Sequence, residues 1–279
     1  MPKRLTEDKV RAYNEDRFVS PVPVLTGDEV ARLRAGLERC EAVAGKKLGF
    51  PEISKSYLLY EWADTLVHHP AVLDAVEDLI GPDILVYHST TWIKEAGTPS
   101  YVLWHQDGKY FFLEPHLHVT AWVALSDSTV ESGCVHALPG SHKWGDFEHR
   151  DDLGEWNMIK RGQGIPDRFD KETGVPLELK AGEMSLHHTD LVHCSRGNGG
   201  VDRRIGLGIS YIPASVRQTG SPQATALLVR GQAAPGAFGA EQRLDSEMSD
   251  AAQQAHAHSV GLFRARQDKG AQMARQATA

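Results

Sequence analysis

The sequence predicts a mainly β domain with flanking helices, and the prediction rests on a change of period along the chain. Up to residue 82 apolar residues recur at helical spacing, whereas from Asp83 they fall into short alternating runs divided by turn signals. Many short strands after a helical start point to a β-sandwich or jelly roll with helices packed on one side.

Thr26 and Glu29 read as a capping box for a helix carrying Val30, Leu33 and Leu37, with Gly45 as its stop. A second helix starts at Pro70, places Val72, Leu73, Val76, Leu79 and Ile80 on one face, and ends at Gly81-Pro82. Ile84 opens a strand running to about Ile93. From His118 to Leu125 the pattern alternates, with Val119, Ala121, Val123 and Leu125 on one side and Thr120 and Trp122 on the other. Further short strands are predicted at 134–138, 177–179, 184–187 and 205–212, separated by Pro139-Gly140-Ser141 and Gly197-Asn198-Gly199-Gly200. The charged, Gly-containing stretch 143–176 interrupts the rhythm and reads as an active-site lid or a solvated insertion. The tail from Glu241, rich in Ala, Gln and charge, predicts a surface helix with a frayed end and no chemistry. These boundaries predict a single domain, 1–279: a helical lead-in 1–82, a core 83–215 holding the insertion 143–176, and a C-terminal extension 216–279.

Composition narrows the function classes. Of 279 residues, 41% are hydrophobic and 24% charged, as in ordinary globular proteins, and the formal charge of −7 offers no basic footprint for nucleic acid or an anionic membrane. No apolar stretch approaches the length of a membrane span. Three cysteines without a Cys-x-x-Cys pair argue against a disulfide framework and predict a reducing, cytoplasmic setting. Fourteen histidines, concentrated between residues 105 and 193, direct attention to a metal.

Trp104-His105-Gln106-Asp107 is the central feature. In an extended segment, side chains two apart share a face, so His105 and Asp107 can grip one ion. The third ligand must come from elsewhere: His193 is the choice, with His187 and His188 as rivals. Two imidazoles and a carboxylate on one face of an octahedron leave three positions open, the arrangement of iron(II) oxygenases. Zinc accepts similar ligands.

Four ordered motifs extend the pattern: Trp104 to Asp107; Thr120-Ala121-Trp122; Ser132-Gly133-Cys134 leading to Leu138-Pro139-Gly140-Ser141-His142; and Leu191 through His193, Ser195, Asn198 and Arg203-Arg204 to Tyr211-Ile212-Pro213. Over roughly residues 5–215 the chain resembles the phytanoyl-CoA dioxygenase family of Fe(II)/2-oxoglutarate oxygenases. The resemblance implies a double-stranded β-helix (a cupin-like jelly roll), iron(II) held by His105, Asp107 and His193, and the far carboxylate of 2-oxoglutarate paired with Arg204. It also implies co-substrate contacts from Ser195 and Trp122 and, on weaker matches, Thr91 and Lys55. Arg204, Gly206, Gly208 and Ser210 share a strand face, and the two glycines read as making room for a small diacid. Arg203 then points outward as a solvated charge, and His142 reads as a structural histidine bonded to backbone.

The implied chemistry consumes O2, decarboxylates 2-oxoglutarate to succinate and carbon dioxide, and hydroxylates an unactivated carbon. Asp107 fills the position that halogenating relatives leave open for halide, which favours hydroxylation. Tyr101, Lys109, Tyr110 and Phe112 flank the metal motif as candidate substrate contacts. With no long basic patch for a CoA thioester, the expected substrate is a small metabolite or natural-product intermediate, acted on by a monomer or homodimer. The rival readings are a metal- or 2-oxoglutarate-binding sensor without turnover, and a cupin-like zinc or manganese hydrolase or isomerase.

Overall fold

A computed structural model describes residues 2–145, 147–150, 154–159, 164–166, 169–170 and 173–277. Helix α1 (Glu7–Asp16) is capped by Thr6, and its C-terminal Arg17 turns the chain into strand β1 (Phe18–Pro23). Helix α2 (Gly27–Ala44) begins at the Thr26/Glu29 capping box and stops at Gly45, whose φ of 64° is left-handed. Helices α3 (Glu61–Val67) and α4 (Pro70–Ile80) follow. They bury Leu66, Val72 and Val76 against the first sheet.

That sheet is seven-stranded. From one edge it runs β1, β8 (Glu183–His188), β5 (Val119–Ala124), β10 (Arg204–Pro213), β2 (Ile84–Lys94), β12 (Thr225–Arg230) and β13 (Gly239–Ala240). Pairing is antiparallel except between β12 and β13. A four-stranded sheet, β3 (Val102–His105), β9 (His193–Ser195), β6 (Val135–Ala137) and β7 (Val175–Leu177), completes the jelly roll. The small pair β4 (Leu113–Glu114) and β11 (Arg217–Gln218) lies apart from both. Helix α5 (Gly108–Phe111) follows β3, and α6 (Asp250–Ala277) ends the described chain.

Side-chain alternation in β10 decides which face does what. Ile205, Leu207 and Ile209 enter the main core beneath the helices. Gly206 and Gly208 sit opposite Trp122 and Trp92 on the other face. A Cβ at Gly206 would lie 2.1 Å from the Trp122 ring, and one at Gly208 2.9 Å from Trp92 Nε1. The glycines therefore admit two indoles, not a diacid.

Three elements differ from the sequence reading. The lead-in contributes β1 to the large sheet, and its Pro21 and Pro23 are tolerated because β1 is an edge strand. The extension contributes β12 and β13, and α6 is docked by buried His256, Ser259, Phe263 and Arg266. Arg203 is not a solvated charge: 8% exposed, it forks onto both carboxylate oxygens of Glu41 on α2 at 2.6 and 2.9 Å and also reaches Glu95. No helix among the described residues is long and apolar enough to cross a membrane.

Removing Arg203 takes from the buried Glu41 its two shortest contacts and leaves it the Lys47 ammonium at 3.3 Å and the Leu48 amide at 3.1 Å. Arg203→Leu is expected to destabilise the fold by about 3 kcal/mol, and the double variant with Glu41→Leu to recover most of that loss in chemical denaturation. Equal stability of the single variant and wild type would show the pair to be ornamental.

Candidate metal centre

Strand pairing assembles the centre. β3 and β9 are antiparallel and place His105 opposite His193, with ring centroids 4.1 Å apart. Asp107 does not continue the strand. Its φ of −61° and ψ of −38° are helical, and the resulting turn into α5 brings its Oδ1 to 3.2 Å from His105 Nε2 and 3.9 Å from His193 Nε2. One ligand atom from each of the three residues lies within 4.8 Å of the others, the geometry of a three-ligand metal site.

The backbone fixes both tautomers. His105 Nδ1 is 2.8 Å from the Leu103 carbonyl and His193 Nδ1 is 2.9 Å from the Leu191 carbonyl. A carbonyl only accepts, so each Nδ1 carries the proton and each Nε2 presents a lone pair to the ion. Burial, reinforced by His105, lowers the His193 pKa to about 4, which keeps it neutral and able to ligate. Burial alone would raise the Asp107 pKa, but His193 and His105 outweigh it and hold the carboxyl well below its usual range. Thr120 Oγ1 donates to Asp107 Oδ2 at 3.2 Å, and His118 Nε2 lies 3.1 Å behind that hydroxyl. With its proton committed to Asp107, Thr120 accepts from His118, whose Nδ1 takes the Thr189 hydroxyl at 3.0 Å.

The rival histidines stand outside the cluster. His188 Nδ1 accepts from the Asp190 amide at 3.2 Å. His187 faces the same cavity from β8, its ring 4.7 Å from that of His193, but it is not among the clustered ligands. His187 Nδ1 is buried with no hydrogen-bond partner among the described residues.

The cavity runs from the triad past Thr120 and Trp122 to Ser195 and Arg204. Arg204 is 2% exposed, lies 5.0 Å from the Trp122 ring centroid, and donates to the Gly133 carbonyl at 3.3 Å, while its Nε finds no partner among the described residues. Burial lowers its pKa to about 10. Across the β10–β2 register sits Lys94, fully buried, which sequence reading missed. Its Nζ donates to Ser195 Oγ at 2.8 Å and to the Arg196 and Gly133 carbonyls. Its alternation with Trp92 on β2, a lysine in phase with a cavity-facing indole, was the available signal.

Other expected contacts lie elsewhere. Thr91 is one residue out of phase with Trp92; it faces the helical layer and meets Ser56 Oγ at 3.0 Å. Lys55 donates to Glu241 Oε1 at 2.5 Å and to the Thr225 carbonyl at 3.2 Å, away from the cavity lining. Neither reaches Arg204, so their expected co-substrate role is not supported by position. Among the described residues, Tyr101, Lys109 and Phe112 do not line the cavity either, and the Tyr110 side chain is outside what is described. Phe112 turns toward α6, its carbonyl accepting from Thr219 and Arg266. Tyr101 pairs through its backbone with Trp156 and Met158 and so docks the insertion on the metal strand. Gln106 adds a second tie: its amide oxygen accepts from Phe147 N, and its Nε2 donates to the Asp190 and Gly145 carbonyls. The described parts of 143–176 are thus packed beside the centre rather than simply solvated. Among the described residues His142 Nδ1 has no backbone partner; its neighbour Ser141 does the bracing, accepting from Val192 N at 2.8 Å.

A jelly roll bearing two histidines and a carboxylate is the framework of the non-haem iron oxygenases. A family model described as Phytanoyl-CoA dioxygenase (PhyH) matches residues 13–206. The peroxisomal phytanoyl-CoA dioxygenase of Homo sapiens is 33% identical over 70% of this chain and 64% of its own length. The chain belongs to the phytanoyl-CoA dioxygenase family. It spans less than two thirds of the curated relatives it matches, down to 39% of the Arabidopsis thaliana phytanoyl-CoA dioxygenase. Among solved structures, the non-haem monooxygenase ThoJ in its apo form superposes with a TM-score of 0.83 at 33% identity, covering 95% of this chain and 99% of that one. The non-haem α-ketoglutarate-dependent carbocyclase SnoK from nogalamycin biosynthesis superposes with a TM-score of 0.62 at 26% identity, covering 78% and 89%.

His193→Ala and Asp107→Ala are expected to lose stoichiometric iron(II), and His188→Ala to keep it, by metal analysis of anaerobically loaded protein. Thr120→Val is expected to bind iron about ten-fold or more weakly, because Asp107 loses its orienting donor. Retained iron in His193→Ala with loss in His188→Ala would reverse the ligand assignment.

Proposed function

We propose that the chain is an iron(II)- and 2-oxoglutarate-dependent oxygenase that hydroxylates an unactivated carbon of a small metabolite or natural-product intermediate. The observation that carries this reading is a cavity lined by buried side chains, with a three-ligand cluster at one end and, at the other, Arg204, whose Nε has no partner among the described residues. A ligand that chelates a metal through one end and ends in a carboxylate fits both. A zinc hydrolase has no use for the buried guanidinium.

His105, Asp107 and His193 would hold the iron, and Arg204 and Ser195 the distal carboxylate of 2-oxoglutarate. When bound, these groups supply the oxidising power: the oxo acid is decarboxylated to succinate and carbon dioxide while oxygen is consumed and a hydroxyl is delivered to substrate. The protein's own residues bind, orient and exclude water. Trp122, 3% exposed, walls the carboxylate end and stacks beneath Arg204, strengthening the charge interaction by keeping water away. Asp107 occupies the ligand position that a halide would need, so hydroxylation is favoured over halogenation. His187 faces the triad from β8 and offers a polar edge to substrate. The similarity to SnoK, a carbocyclase from nogalamycin biosynthesis, supports a natural-product intermediate over an acyl-CoA.

Arg204→Leu should leave iron bound and weaken 2-oxoglutarate by about ten- to a thousand-fold, the cost of breaking a desolvated charge-assisted pair. Anaerobic titration of the iron–oxoglutarate charge-transfer band measures it. A panel of small metabolites and natural-product intermediates scored by succinate release then tests turnover. Tight 2-oxoglutarate binding without substrate-dependent succinate would indicate a sensor, and no binding to wild type would overturn the oxygenase reading.

A further inference from the structure

Resting on the metal assignment above, we propose that Arg266 of α6 is a positioning residue for Asp107, which makes the C-terminal helix part of the metal centre. Helix α6 begins at Asp250, beyond the residues 13–206 that the family model matches. Arg266 is 3% exposed, and its hydrogen-bond partners among the described residues are four backbone carbonyls. It donates to Thr219 at 2.6 Å and Pro222 at 2.7 Å, and at 3.4 Å to Gly220 and Phe112. Burying a guanidinium is costly, and a planar fork that reaches several carbonyls offsets the cost by fixing one turn, 219–222.

That turn closes the end of α5. Thr219 donates to the Phe112 carbonyl from its amide at 2.8 Å and from its hydroxyl at 3.2 Å. Tyr87 donates its hydroxyl to the Phe111 carbonyl at 3.1 Å. Restraint is needed here, because Phe112 has a φ of 52°, a left-handed conformation that a bulky residue keeps only when its surroundings hold it. Helix α5 is a single turn of four residues, and Asp107 is its N-cap. A carboxylate at one end of so short a helix loses its place when the other end unwinds.

A second route runs through side chains. Phe263 lies three residues before Arg266 and on the same helix face. Its ring is 3.9 Å from that of His88, stacked, and 6.0 Å from that of Phe111. Phe111 meets the His118 ring edge-on at 4.7 Å, and His118 backs the Thr120 hydroxyl that donates to Asp107. Both routes start on one face of α6 and end on one carboxylate.

The test is the affinity for iron(II), measured anaerobically by competition with a chromogenic chelator, in wild type, Arg266→Met and Arg203→Leu. Arg203→Leu is the control for lost stability alone, since it removes a buried arginine whose partner Glu41 lies on α2. Arg266→Met is expected to bind iron(II) about ten-fold more weakly, and Arg203→Leu to bind it as wild type does. Equal affinity in all three proteins, or equal loss in both variants, overturns the proposal. A wild type that binds no iron(II) overturns the metal assignment on which it rests. Should Arg266→Met not fold, hydrogen exchange of wild type decides, because coupling is reciprocal: a docked α6 that strengthens iron binding is itself held by iron. Added iron(II) is expected to slow amide exchange in 108–112, 219–221 and 259–266. Protection confined to the strands that carry His105 and His193 overturns the proposal.

Discussion

The pairing of β3 with β9 is the constraint on which the rest of the site depends. It joins segments about ninety residues apart in sequence and sets His105 opposite His193. Each histidine is then locked by a backbone carbonyl two residues before it, Leu103 for one and Leu191 for the other. The repetition of one local device on both strands presents the two lone pairs on one side. Asp107 joins them because the chain leaves β3 in a helical turn, and Thr120 on the facing sheet steadies its outer oxygen. Ser141 holds the strand before His193 from below, and Gln106 holds the loop after His105 from the side. A shift of either strand would move every one of these contacts.

The cavity is polarised along its length. Its metal end carries one carboxylate, Asp107, and its other end carries Arg204 with Lys94 behind it. Two indoles, admitted by Gly206 and Gly208, form the walls between these ends. In low dielectric such an arrangement selects a ligand by charge distribution as well as size, because each end penalises the wrong sign. On the proposed reading this is what distinguishes a chelating diacid from other small metabolites. The same dryness suits a reaction in which the protein's task is to hold one carbon near the metal and keep water out.

Much of this was legible in the sequence where periodicity was local. The capping box at Thr26, the alternation from Val119 to Leu125 and the change of period near Asp83 each reflect contacts within a few residues. The metal motif was legible as a motif, although the extended geometry first assumed for Asp107 gives way to a turn. What escaped depends on distant partners. Arg203 pairs with Glu41 from α2, and nothing near either residue announces the other. Thr91 was one residue out of phase with the cavity face, a slip that reverses the side of a strand. Lys94 lay at a strand end, where a lysine ordinarily marks the return to solvent. β1 was hidden by two prolines that only an edge strand accepts.

The most direct measurement is an anaerobic crystal structure of the chain with iron(II) and 2-oxoglutarate. The expected result is one ion bound by His105 Nε2, His193 Nε2 and the Asp107 carboxylate, with the co-substrate's far carboxylate on Arg204. An ion held through His187 or His188, or a diacid whose far end lies away from Arg204, would contradict the proposed site.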